Sequence, residues 1–232
     1  QALRNKTVVL CMKGLEMGTG ERLSVIAGEL LHPSCTVAVW LGPGHVQEFY
    51  RGIPNCMVID SENEQVKRRL VQAFSSDLIR FYYGGDMIGN EVGAAAKNVV
   101  GIAAGFLDGV EMSSLKGALM SRGTREVARL IRAMGGNELS AYGLCHLGDY
   151  EATVFSPYSH NRQFGESFIR HQDYHRLAEG YYTVAALMVL SERYHVALPI
   201  CRAVHAILYE NADPREQLTE LLRRGLRAEF DD

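Results

Sequence analysis

The segment Asp86-Met87-Ile88-Gly89-Asn90-Glu91-Val92-Gly93-Ala94-Ala95-Ala96-Lys97-Asn98 constrains the fold more than any other. It opens a helix expected over residues 86–107. At helical spacing Asn90, Gly93, Ala94, Lys97, Gly101, Ala104 and Gly105 share one side, while Val92, Val99, Ile102 and Phe106 fall on the other and are candidates for the core. Glycine costs a helix roughly 1 kcal/mol relative to alanine, so glycines repeated at this spacing need a packing or ligand reason. The expectation is a strip of small residues against which a ligand lies, with Lys97 as the group that meets it.

Ahead of this helix the apolar runs are short and rich in Val, Ile and aromatics, which predicts strands at 7–11, 35–40, 57–59 and 79–83. Helical stretches at 21–31, 46–50 and 64–73 alternate with them, which makes an α/β layer. From Asp86 onward strand signals vanish. Helices are expected at 86–107, 114–134, 161–171, 179–194, 197–210 and 214–229. Ser113-Ser114 would cap the second, Gly135-Gly136 would end it, and Asp213-Pro214 would start the last. The division is therefore an α/β part over 1–85 and an all-helical part over 86–232.

A chain of 232 residues with net charge -3 gives no reason to expect nucleic acid or a membrane surface as partner. No apolar run reaches the roughly 18 residues that span a bilayer. The five cysteines are odd in number, scattered and free of any C-x-x-C pair, which reads as reduced thiols in a cytoplasmic protein.

Four polar segments are candidates for chemistry. Lys97 in a dry cleft would have the lowered pKa of an acid or base; a solvated lysine at a helix edge is the plain alternative. Lys13 follows a strand directly, where ligand crevices of α/β sheets lie, although an ordinary loop lysine fits there too. Gly42-Pro43-Gly44-His45 also follows a strand and allows close backbone approach, as many simple turns do. Ser159 is a candidate helix N-cap, and the N–H groups after it, with His160, Asn161 and Arg162, would bind an anion. Gly18-Thr19-Gly20 lacks the third glycine of a dinucleotide fingerprint. His171 and His175 have metal spacing but no further ligand arranged with them.

In order along the chain stand Lys13-Gly14-Leu15-Glu16, Gly42-Pro43, Glu91-Val92-Gly93-Ala94-Ala95-Ala96-Lys97-Asn98, Ser121-Arg122-Gly123, Gly148-Asp149, Thr153, Ser159, Asn161-Arg162, Phe164-Gly165, Glu179-Gly180 and Pro199-Ile200. This series resembles the NAD(P)-dependent glycerol-3-phosphate dehydrogenases almost end to end. The resemblance implies the C-terminal part of a Rossmann-type domain followed by a helical substrate and dimerisation domain. It implies a phosphorylated polyol as substrate, NAD or NADP as cofactor, and a homodimer. Lys97 would exchange the proton of the C2 hydroxyl, with Lys13 lowering its pKa and Asp149 holding lysine and substrate in place. Further substrate contacts would come from Gly42, Gly44, Asn98, Thr153, Ser159, His160, Asn161 and Arg162. Cofactor contacts would come from Lys13, Val46, His160 and Glu179.

The chain departs from the family pattern in several places. No G-x-G-x-x-G is present, so this chain alone is expected to hold a dinucleotide poorly and to be inactive by itself. His160 stands where the family has a phosphate-clamping arginine, Gly44 where it has serine, and His146 where it has a small residue. These departures are expected to touch substrate or cofactor. They leave open a different polyol phosphate, a hydroxy acid, or a non-catalytic relative acting as a dimerisation or sensing module.

Overall fold

The computed structural model describes residues 3–223. Strands β1 (Thr7–Leu10), β2 (Thr36–Leu41), β3 (Asn55–Asp60) and β4 (Ile79–Tyr83) form one sheet in the order β1-β2-β3-β4. Helices α1 (Leu23–Leu30), α2 (Val46–Tyr50) and α3 (Glu64–Phe74) lie between them. After β4 come α4 (Met87–Gly109), α5 (Lys116–Ala133), α6 (His160–Ile169), α7 (Glu179–Tyr194), α8 (Pro199–Tyr209) and α9 (Pro214–Arg223). Between α5 and α6 lie the short 3-10 turns Glu138–Tyr142 and Leu147–Asp149 and one π-turn, Glu151–Phe155. The helix expected over 214–229 starts as predicted at Pro214, with Asp213 Oδ1 accepting from the Glu216 amide; its last residues lie outside the described residues.

The sheet is mixed. β1 and β2 are parallel, as are β3 and β4, but β2 and β3 run antiparallel. Alternation of strand and helix alone suggests parallel pairing throughout. The link from β2 to β3 holds only the five-residue α2. At 1.5 Å per residue that helix is far shorter than a strand of about 20 Å, so it supplies no helical crossover along the sheet, and the chain returns antiparallel beside β2. The C-terminal ends of β1 and β2 thus stand alone at one end of the sheet, and they carry Lys13 and Gly42.

Helix α4 is the axis of the molecule. Every residue from Gly89 to Leu107 is buried. The expected strip of small residues is not a ligand shelf, because other elements cover it. A Cβ on Gly93 would stand 3.0 Å from His146 Cβ. On Gly101 it would stand 2.8 Å from Thr153 Cγ2, and on Gly105 2.1 Å from the Arg162 carbonyl. The glycines let α6 and the turn before it approach α4 backbone to backbone. Val92, Val99, Ile102 and Phe106 lie in the core as expected, with Leu130, Ile131, Leu187 and Ile207 around them.

Two helices borrow their caps. α1 follows Arg22, which makes no side-chain cap. Buried Glu91 of α4 accepts instead from the Ser24 amide at 2.9 Å, the Ser24 hydroxyl at 2.5 Å and Arg22 at 2.8 Å. α8 follows Leu198, and Glu126 of α5 accepts from the amides of Ile200 (2.8 Å) and Cys201 (3.0 Å). Ser113 and Ser114 do not cap α5; they lie in a 3-10 turn, and the Ser113 hydroxyl donates to Asp108. At the far end of the sheet Asp60 accepts from the Asp86 amide (2.9 Å) and the Asn90 amide group (2.8 Å), which fixes the start of α4 against β3.

Candidate active site

Lys97 enters an open cavity of about 380 Å³ between the sheet end, α4 and the start of α6. Its Nζ lies 2.8 Å from Asp149 Oδ2 and donates to Thr153 Oγ1 at 2.8 Å. Lys13 Nζ meets the same Asp149 oxygen, also at 2.8 Å, and donates to the Gly42 carbonyl at 3.0 Å. One carboxylate therefore holds two ammonium groups. Asp149 ends the 3-10 turn Leu147–Asp149, and Thr153, one turn on, donates to the Asp149 carbonyl at 2.6 Å. Burial pulls the pKa of Lys97 down to about 8; the attraction of Asp149 opposes the shift and the charge of Lys13 adds to it.

The far wall is the start of α6. Ser159 Oγ accepts from the Arg162 amide at 3.3 Å as the N-cap, and His160 is exposed at the first helical position. Asn161 lines the cavity too, but its Oδ1 accepts from the Gly180 amide at 2.9 Å and so ties α6 to α7. At the other side the Asn98 amide donates to Glu179 at 3.1 Å.

Both family profiles of one enzyme match this chain: "NAD-dependent glycerol-3-phosphate dehydrogenase C-terminus" over residues 86–219 and the corresponding N-terminus over residues 1–67. The chain belongs to the NAD-dependent glycerol-3-phosphate dehydrogenase family. A glycerol-3-phosphate dehydrogenase [NAD(P)+] from Fusobacterium nucleatum is 35% identical over 97% of this chain and 70% of its own length. One from Thermotoga sp. is 35% identical over 94% and 69%. Among solved structures, the glycerol-3-phosphate dehydrogenase of Coxiella burnetii superposes with TM-score 0.86 at 31% identity, over 94% of this chain and 69% of that one. The yeast enzyme shares the fold, with TM-score 0.78 at 18% identity, over 91% and 66%.

Of the residues expected at a dehydrogenase site, Lys13, Gly44, Lys97, Asn98, Asp149, Thr153, Ser159, His160, Asn161 and Glu179 line the one cavity. Three do not. Gly42 presents only its carbonyl, to Lys13. Val46 is 63% exposed on α2 outside the lining. Arg162 turns to the back of α6, because Asp108 and Glu166 each hold its Nη1 at 2.9 Å and the Ser156 carbonyl takes its Nε.

Gly42 and Gly44 have φ of +128° and +136°, which glycine alone tolerates without strain, and a Cβ on Gly44 would strike the Phe49 ring. The glycine at 44 is thus a backbone requirement here. His146 is fully buried and away from the cavity, so this departure from the family touches no ligand surface. His45 and Tyr158 also line the cavity and were not singled out from sequence as ligand contacts; His45 Nε2 bonds the Ala152 carbonyl at 3.0 Å and its ring meets Tyr158 edge-on. The one signal for His45 was its place directly after the Gly-rich turn.

Proposed function

We propose that this chain carries the substrate half of an NAD(P)-dependent dehydrogenase interconverting glycerol 3-phosphate and dihydroxyacetone phosphate. The observation that carries the reading is the buried Lys97 sharing one Asp149 oxygen with a second cation, Lys13, in a cavity that also holds a helix N-terminus; burial brings the Lys97 pKa down to about 8. A base at that pKa is divided between its two protonation states close to neutral pH, as general acid–base catalysis requires.

In the oxidation, neutral Lys97 Nζ takes the proton of the C2 hydroxyl as C2 loses its hydride. In the reduction, the Lys97 ammonium returns that proton to the C2 oxygen. Asp149 orients Lys97 and accepts from a substrate hydroxyl. Lys13 keeps Lys97 from holding its proton too tightly. The substrate phosphate lies at the start of α6, on its free N–H groups with Ser159, His160 and Asn161.

The nicotinamide cofactor, when bound, supplies or accepts the hydride. The donor set fits its nicotinamide ribose: the Glu179 carboxylate and the Asn98 amide form a hydroxyl-binding pair beside Lys97. The substrate step then depends on positioning and proton transfer, which these residues supply. The reading also takes residues 1–85 and 86–232 as two domains and the enzyme as a cytoplasmic homodimer; its five free cysteines support a reducing compartment.

His160 in place of an arginine supports a looser grip on phosphate than the family pattern provides. The test, made on the full-length protein, is oxidation of NADH or NADPH on adding dihydroxyacetone phosphate, beside carboxylate analogues of similar size. Turnover with the phosphate ester supports the reading. Turnover with a hydroxy or keto acid alone, or none with either, overturns it.

A further inference from the structure

We propose that His146, braced by Tyr150, is a positioning residue that fixes the Asp149 carboxylate against Lys97. The inference rests on the proton-transfer role given to Lys97, but its geometry is independent of that role.

His146 is fully buried. Its Nδ1 lies 2.8 Å from the Gly93 carbonyl of α4, and its Nε2 lies 2.7 Å from the Tyr150 hydroxyl. A carbonyl can only accept, so Nδ1 carries the ring proton and Nε2 accepts from Tyr150. Burial pushes the ring pKa down to about 4, so it stays neutral at working pH. The Gly93 carbonyl is also the helical acceptor for the Lys97 amide, four residues on. On the other side, the His146 carbonyl accepts from the Asp149 amide at 3.0 Å. A single residue thus bonds through its ring to the turn of α4 that carries Lys97, and through its backbone to Asp149.

Tyr150 braces the ring from behind. It is fully buried, meets the imidazole edge-on, and its hydroxyl lies against Thr124 of α5. Gly93 makes the contact possible, since a side chain there would crowd His146 Cβ. A merely space-filling residue at 146 would need neither nitrogen satisfied. Here both are: the Nδ1 bond ties α4 to the segment that carries Asp149, and the Nε2 bond to Tyr150 holds the ring in that orientation.

The sign of the consequence follows from the forces on Lys97. Burial and Lys13 drive its proton off, while Asp149 holds it on. If the turn slackens and Asp149 draws away, the pKa of Lys97 falls below its wild-type value. The chain holds five lysines, so their 13Cε signals can be titrated separately by NMR, with Lys97→Met assigning the signal.

Asp149→Asn calibrates the full downward shift. Tyr150→Phe, which removes one oxygen, should move Lys97 the same way by about half a pH unit or more, and His146→Leu further. His146→Asn can keep the bond to Gly93 and should return the midpoint toward wild type. If Tyr150→Phe and His146→Leu lower thermal stability while Lys97 titrates as in wild type, or higher, the proposal is wrong. Should His146→Leu not fold, Tyr150→Phe alone decides. A downward shift in a protein without dihydroxyacetone phosphate reductase activity would keep the positioning role and sink the reaction assignment.

Discussion

Replacing Lys13 with methionine keeps most of its stem and removes its charge. Both ammonium nitrogens stand 2.8 Å from the same Asp149 oxygen, so they are at most twice that distance apart. At an effective dielectric near 20 their repulsion is then about 3 kcal/mol or more, or roughly two pKa units. Lys13 is 21% exposed at its side chain, which screens part of this. Loss of Lys13 should therefore raise Lys97 from about 8 by about one to two units. Oxidation of glycerol 3-phosphate needs the neutral amine. In the wild type its rate should climb with pH up to about 8 and then level off. In Lys13→Met that limb moves up by about one to two units, and the neutral fraction at pH 7 drops by about tenfold or more. The readout is the midpoint of the limb rather than its height, because Lys13 also touches the substrate. A limb that stays put, or moves down, would refute the argument that the two lysines repel across Asp149.

Other consequences are independent of this one. Gly105→Ala drives a methyl into the Arg162 carbonyl of α6 and should lower stability by about 3 kcal/mol in urea unfolding; a neutral effect would mean α6 can retreat from α4. Glu126→Ala strips two amides of α8 of the carboxylate that caps them and should cost about 2 kcal/mol or more by the same assay. Burial raises the pKa of Glu126 above its ordinary value, so the folded state binds the extra proton and this group's contribution weakens as pH rises through that raised pKa. Glu126→Gln should remove that dependence. His160→Arg should lower KM for the phosphorylated substrate several-fold at pH 8 with little change in kcat; an unchanged KM would remove the phosphate from the start of α6.

Much of this architecture was written in local sequence. The β-branched run at Thr7–Leu10, the aromatic run at Ile79–Tyr83 and the cap at Ser159 depend on neighbours within a turn or two, and they fall where expected. Alternation carries no direction, so it did not show the reversal of β3; the cue lay in the five-residue stretch at 46–50, too short for a helical crossover. The small residues of α4 were visible, but not what meets them. A glycine records that something comes close, and whether that is a ligand or another helix depends on partners some fifty residues away. Arg162 illustrates the same limit. Its place after Ser159 suggested an anion site, while Asp108, far back in the chain, decides where the guanidinium points. Lys97 stood out on its helix of small residues and Lys13 by its place after a strand, Asp149 was marked by the family resemblance, and the single carboxylate oxygen shared between the two lysines became visible only in three dimensions.

The most direct test of the central claim is Lys97→Met in the full-length protein, assayed for reduction of dihydroxyacetone phosphate alongside direct binding of the same ligand. The account predicts that turnover falls by about two to four orders of magnitude while binding changes little. Turnover close to wild type in that variant would contradict it.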